Sequence, residues 1–235
     1  MQKFIIENDF FQVFPEAKIG VIVAKGINNE ATDDEKYEKL LRASEKEVNK
    51  YLLDVQFSNN RVISIWRDAF KKFKTKKGAR SSIEAMLKRV SKGNKIGNIN
   101  PLVDIYNSIS LKYALPCGGE DINAFVGDMK LTKAIGDESF ITYGSDKSEP
   151  PYENEIIYKD DAGAVCRCFN WRESVRTMLV EETENAFLCI ENLDSDRENE
   201  FKDALEELKE LIQNNLGGKL EVKILDIDNP EINLL

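Results

Sequence analysis

The groups able to do chemistry in this chain are carboxylates, thiols, hydroxyls and backbone amides, because the sequence contains no histidine. Ser-His-Asp and Cys-His nucleophile systems are thereby excluded, as are zinc sites built on imidazole. Four cysteines remain: Cys117, Cys166, Cys168 and Cys189. Cys166 and Cys168 are two apart, which on a strand places both thiols on one face. That spacing is tighter than the Cys-x-x-Cys of thiolate zinc sites, so the cysteines read as small core residues and no metal is expected. Among the acids, Glu191 ends an apolar run and suits a water-orienting carboxylate. Asp160 and Asp161 precede Ala162-Gly163 and read equally well as a polar turn. Asn170, Trp171, Arg172 and Arg176 form a dense polar and aromatic cluster in which an arginine could hold a phosphate or carboxylate in a bidentate manner. Salt bridges to the many acids are the structural alternative.

The chain is 235 residues long with 33 Lys+Arg against 42 Asp+Glu, a formal net charge of −9. Its sign is not evenly spread. Residues 61–97 hold twelve basic and two acidic residues, a local charge of +10, and leave −19 on the remainder. The centre of that segment, KKFKTKKGAR, carries Lys71, Lys72, Lys74, Lys76, Lys77 and Arg80 and is the part that packing explains least. Nucleic acid needs a local basic stripe rather than a basic whole, so these six residues are candidate phosphate contacts. A solvated surface paired with acids elsewhere is the competing reading. Trp66 and Phe70 lie among the bases at helical spacing and are expected in the core.

Hydrophobic periodicity supplies the elements that would carry these groups. Residues 19–24 form a buried strand. A capping box at Thr32 and Glu35 opens a helix with Tyr37, Leu40, Leu41, Val48 and Leu52 inward. A second helix spans about 60–74, and a third starts at the capping box Ser81–Glu84. The segment 93–100 is broken by Gly and Asn. A fourth helix starts after Pro101 and stops at Pro116 and Gly118-Gly119. Strands are expected at 138–143, 155–158, 163–170, 175–180 and 186–191. A capping box at Ser195–Glu198 opens a last helix, ended by Gly217-Gly218, before a final strand at 219–227. No repeat is present. The pattern predicts an α+β fold, a single domain over 1–235 with a mixed or antiparallel sheet core flanked by helices. No stretch approaches the about 20 apolar residues of a membrane span. The acids in MQKFIIENDFFQVFPEAK argue against a signal peptide, so a cytoplasmic location is expected.

Residues 100–121, NPLVDIYNSISLKYALPCGGED, resemble the tRNA-binding and editing (B3/B4) domain of the phenylalanyl-tRNA synthetase beta subunit, and its free-standing relatives in particular. Val103, Asp104 and Asn107 match the family's N-x-V-V-D-V-T-N-Y. Pro116 and Asp121 match its G-Q-P-L-H-A-F-D without a gap. Residues 158–191 look like the stretch shared by free-standing members. The resemblance covers about 60–195, with the amino-terminal strand and helix and the carboxy-terminal helix and strand as additions. Two pocket groups differ: Tyr106 stands where the family has threonine, and Gly118 where it has histidine. The resemblance implies hydrolysis of a mischarged aminoacyl-tRNA ester, acting in trans on the aminoacylated 3′ end, with a different side chain inspected. It implies Glu191 as the catalytic carboxylate. For that chemistry Gly118, Gly119 and Gly163 are candidates to present backbone amides to the ester, or else plain turn glycines; Asn107 and Asp121 are candidates to bind the amino group or ribose, or else helix and turn caps; and the cluster Asn170, Trp171, Arg172 and Arg176 completes the candidate substrate contacts. The implied hydrolysis needs no cofactor, and association with a synthetase is a further partner the resemblance implies. ATP-driven aminoacylation is not expected, because no G-x-x-x-x-G-K loop is present. A non-catalytic amino-acid or RNA-binding module is the alternative.

Overall fold

A computed structural model of the protein describes residues 2–31 and 33–235. Its strands are β1 (Lys3–Ile6), β2 (Lys18–Lys25), β3 (Cys117–Asp121), β4 (Met129–Lys133), β5 (Ile156–Asp160), β6 (Gly163–Arg167), β7 (Arg172–Glu173), β8 (Asn185–Asn192), β9 (Lys219–Leu225) and β10 (Glu231–Asn233). Its helices are α1 (Asn8–Phe11), α2 (Asp34–Glu47), α3 (Arg61–Phe70), α4 (Ser82–Ser91), α5 (Pro101–Tyr113) and α6 (Glu198–Leu216). One sheet is antiparallel, in the order β3-β8-β2-β9. The other is mixed, β10-β1-β4-β5-β6-β7, with β1 and β4 parallel. The α+β class expected from the sequence is therefore the observed one.

The two central strands of the smaller sheet are apolar on both faces because both faces are covered. From β2 and β8, Val21, Val23, Phe187 and Cys189 pack into the core shared with the larger sheet. There the Phe4 ring of β1 lies 4.8 Å from that of Phe187, edge to face. The alternate residues Ile22, Leu188 and Ile190 pack with α5 and α6. Gly20 belongs to that second face. A Cβ there would sit 2.9 Å from Leu205 of α6, so the missing side chain sets how closely α6 approaches.

Several caps match the sequence. Ser81 accepts from the Glu84 N–H, and Asn100 accepts from the Val103 N–H one residue before Pro101. The Thr32 half of the first capping box lies outside the described residues; Asp33 caps α2, accepting from the Lys36 N–H. Other expectations need correction. The helix expected to Lys74 stops at Phe70, because the chain turns back to place Phe73 on the core, 5.5 Å from the Phe70 ring. Helix α5 ends at Tyr113 on a left-handed Ala114, and Gly118-Gly119 belong to β3 rather than to a stop. Ser195 does not cap α6. Arg197 stands at its N-cap and makes no side-chain cap bond; the capping carboxylate lies one turn earlier, where Asp194 accepts from the Asp196 N–H to start the short 3-10 turn Ser195–Arg197 and is pinned by two 2.6 Å bonds from Arg61.

The segments 138–143 and 175–180 are not strands. Each spends its backbone groups on several different neighbours instead of one ladder. Ser139 O accepts from Ala164, Ile141 O from Val175, and Thr177 O from Asp121. Six short elements escaped the sequence reading: β1, α1, β3, β4, β7 and β10.

Candidate active site

The inner face of β3 and β8 meets β5, β6 and the turn beyond β6 across a cavity of about 500 Å³. Strand alternation builds one wall. In the antiparallel register Gly118 faces Cys189 and Glu120 faces Phe187. With Glu191 two residues further along β8, these five share a face and all line the cavity. Opposite stand Tyr158 of β5 and Cys166 of β6. Ser82 and Met86 of α4 and Tyr106 and Asn107 of α5 close the remaining sides.

Glu191 is buried in this wall. The Tyr158 hydroxyl donates to its Oε1 at 2.7 Å, and the Asn170 side-chain amide donates to its Oε2. Burial pushes its carboxyl up to about 7, against the opposing pull of those two donors. A carboxylate so placed changes protonation near neutral pH, where a proton acceptor is most effective.

Asn170 reaches Glu191 from a turn with two left-handed residues, Cys168 at φ 47° and Phe169 at φ 65°. Such conformations are costly for residues with side chains and persist only where surroundings enforce them. Here the enforcement is visible. The Cys168 N–H donates to Glu155 at 2.9 Å and the Phe169 N–H to Ile156 O at 2.7 Å. The Asn170 carbonyl in turn accepts from the Ser82 N–H at 3.2 Å, fastening the turn to α4.

Seven of the residues singled out from the sequence line this one cavity: Asn107, Gly118, Gly119, Asn170, Trp171, Arg172 and Glu191. The structure places the others elsewhere. Asp121 caps a short turn at Asn123 and accepts from the Thr183 hydroxyl. Arg176 is held on Asp160 by bonds of 2.9 and 2.7 Å, and Asp160 also accepts from the Val126 N–H. Asp161 lies against Gly127, and Gly163 against Ser139, where a Cβ would be 2.4 Å from the carbonyl oxygen.

Sequence reasoning missed Tyr158, Glu120 and Glu173, which line the same cavity. Glu120 was within reach: reading CGGED as a strand puts Gly118 and Glu120 on one face. Burial raises the Glu120 carboxyl well above its usual range. Glu173 is raised to about 7 by desolvation. Its side chain is nevertheless exposed, so solvent screens it more than Glu191. Burial also pushes the Cys117, Cys166 and Cys189 thiols up, so at neutral pH all three stay protonated and poorly nucleophilic.

The basic loop between α3 and α4 runs beside this cavity. Lys76 lies 5.9 Å from the Trp171 ring and Arg172 lies 5.0 Å from it. Lys76 pairs with Glu149 and Lys71 with Asp68. Lys72 rests on the Phe14 ring and Lys74 on that of Tyr152. Among the described residues Lys77 and Arg80 have no ion pair, so the loop is neutralised only in part.

A family model described as the B3/4 domain matches residues 65–215, a span that includes every wall of the cavity. The chain belongs to the B3/4 domain family. Among solved structures, this B3/4 domain is similar to an N-terminal fragment of the phenylalanyl-tRNA synthetase beta-subunit from Pyrococcus horikoshii. Identity is 11% and the TM-score 0.48, over 92% of this chain and 49% of that one. The chain thus spans about half the length of that fragment. No curated protein matches. Among the described residues of the domain, no helix is long and apolar enough to cross a membrane.

Proposed function

We propose that this B3/4 domain binds the aminoacylated 3′ end of a tRNA and hydrolyses its ester, acting in trans on mischarged tRNA. The observation that carries the reading is Glu191: a buried carboxyl poised at about 7, oriented by Tyr158 and Asn170 on the wall of a cavity large enough for an aminoacyl group. The ester is already activated. The protein must position a water, take its proton as the water oxygen bonds to the carbonyl carbon, and stabilise the oxyanion. The tetrahedral intermediate then expels the ribose oxygen, which leaves as a hydroxyl after protonation. Free amino acid and tRNA result.

Glu191 accepts the water's proton. Strand β3 is the edge of its sheet; its outward amide at Asp121 is taken by Thr177 O, which leaves the Gly119 amide, two residues earlier on the same edge, as an oxyanion donor, worth about 3–4 kcal/mol where preorganised. Asn107 and Arg172 supply polar contacts to the ribose and terminal phosphate. The basic loop, with Lys71, Lys72, Lys74, Lys76, Lys77 and Arg80, follows the acceptor strand.

Purified protein assayed against a panel of aminoacyl-tRNAs tests this directly, and absence of turnover on every one would overturn it. Both Glu191 oxygens already carry a donor, which also suits a module that binds an aminoacyl group without hydrolysing it. That reading expects ligand-dependent thermal stabilisation with no turnover.

Two further outcomes follow from the geometry. A Cβ on Gly118 would meet only Cys189 Sγ, at an ordinary 3.8 Å. Gly118→Leu should therefore keep the fold while filling the cavity, lowering kcat/KM for deacylation by about tenfold or more. An unaltered kcat/KM would remove this wall from the site. Second, Lys71, Lys72, Lys76 and Lys77 replaced together by Ala should weaken tRNA binding. The slope of log K against log salt should flatten by about 0.7–0.9 for each lysine that meets a phosphate. An unchanged slope, measured by filter binding across salt, would take the loop out of the interface.

A further inference from the structure

We propose that the cavity selects an aminoacyl group whose side chain ends in an organic cation, and that Glu120 is the residue that recognises it. This specificity rests on the deacylase reading above and is not contained in it. Glu120 is 6% exposed, and its Oε2 has no hydrogen-bond partner. Buried polar atoms are almost always satisfied, and one left open on a cavity wall is where a ligand donor fits.

The protein groups around it offer one neutral hydroxyl, Thr177, and no free cation. Arg176, a cation close enough to act on it, is committed to Asp160 through both terminal nitrogens. The Thr177 hydroxyl makes no hydrogen bond of its own by geometry, although it lies close enough to pull on the Glu120 carboxyl. Of the charged residues on the lining, three are acids (Glu120, Glu173 and Glu191) and one is basic, Arg172, which sits against Trp171. The walls between them are aromatic: Tyr106, Tyr158, Phe169 and Phe187. Carboxylates set among aromatic faces suit an ammonium group, which gains from both; a bound ammonium favours the ionised form of Glu120, so its proton leaves to solvent as the cation enters. Among the described residues no group of acids or thiols could hold a metal ion, so the acid-rich lining fits an organic cation better than an inorganic one.

The α-ammonium of an aminoacyl group uses one acid, and Glu191 serves the water. A third acid, deep in the wall and without a free cation beside it, is left for a charge on the side chain. A methyl-ended chain of similar length would leave Glu120 buried without a donor.

The test is calorimetric titration of the intact protein with L-lysinamide and with L-norleucinamide, whose side chain ends in methyl. The parent should bind lysinamide at least about tenfold tighter. Glu120→Gln should lose that preference while keeping its binding of norleucinamide, and Glu120→Asp should restore part of it; circular dichroism checks that both fold. Equal affinity of the parent for the two amides, or an undiminished preference in Glu120→Gln, overturns the inference. The same protein is then given lysyl-tRNA and leucyl-tRNA. A lysinamide preference without turnover on either upholds the cation site and defeats the deacylase reading. Turnover of leucyl-tRNA without a lysinamide preference does the reverse.

Discussion

Glu191→Gln is expected to lower deacylation by roughly 10²–10⁴-fold, the range for removing a positioned proton acceptor, with tRNA affinity unchanged. Gln fills the same volume and still accepts from the Tyr158 hydroxyl, but it cannot take a proton from water. Parent activity should rise about tenfold between pH 6 and pH 8, because a carboxyl at about 7 goes from mostly protonated to mostly ionised across that window. The variant's residual rate should lack that rise.

Stability should move in the opposite direction. The folded Glu191 value lies above its ordinary 4.5, so protonated Glu191 favours the fold. That contribution is complete below about pH 4.5 and is lost as pH rises through about 7, up to about 3 kcal/mol in all. Glu191→Gln should therefore match the parent at pH 4 and exceed it at pH 8 in urea denaturation. A variant with parental activity, or one less stable than the parent at pH 8, would remove Glu191 from the role given to it.

Glu155→Ala should be strongly destabilising, at about 3–5 kcal/mol. Arg167 is 2% exposed and Glu155 fully buried. They are joined by bonds of 2.8 and 3.0 Å, while Arg167 also donates to Glu149 O at 2.7 Å. Glu155 further accepts from the N–H groups of Tyr152 and Cys168. Removing it strands a guanidinium in the interior and two backbone donors with it. A fall in Tm of roughly 6–20 °C is expected for a chain of this length. Replacing both partners with apolar residues should cost less than the single change, because no charge is left behind. A single-variant loss under about 1 kcal/mol would contradict this account. Activity should fall as well, because the Cys168 contact holds the turn that presents Asn170 to Glu191.

The long, strongly periodic elements were legible in the sequence. The faces of α3, α4 and α6 and the buried strands β2 and β8 carry their partners' signature in their own spacing. Ser81 announced one helix start by local hydrogen bonding and Pro101 another by its fixed φ. The four- and five-residue strands β1, β3 and β4 did not, since so short a strand is defined by the ladder it joins and carries little pattern of its own. The segments 138–143 and 175–180 show the converse, with strand-like composition and no ladder.

At the site, Glu191, Asn170 and Gly118 could be singled out because each is unusual where it stands. Tyr158 could not. An aromatic in an apolar run looks like core until its hydroxyl is seen 2.7 Å from a carboxylate. Arg176 and Asp160 show the limit from the other side. Both are the right kind of residue for a ligand, and they satisfy each other.

The pairing of β1 with β10 has a consequence of a different kind. Lys3 lies opposite Asn233 in one ladder, so the two ends of the described chain emerge side by side, about 5 Å apart across a single pair of strands. Topologically the stretch from β1 to β10 is a nearly closed ring, and the walls around Glu191 are drawn from its interior arcs. Such a ring can be spliced into a host polypeptide at one surface loop, or joined end to end and reopened elsewhere, without disturbing what it encloses.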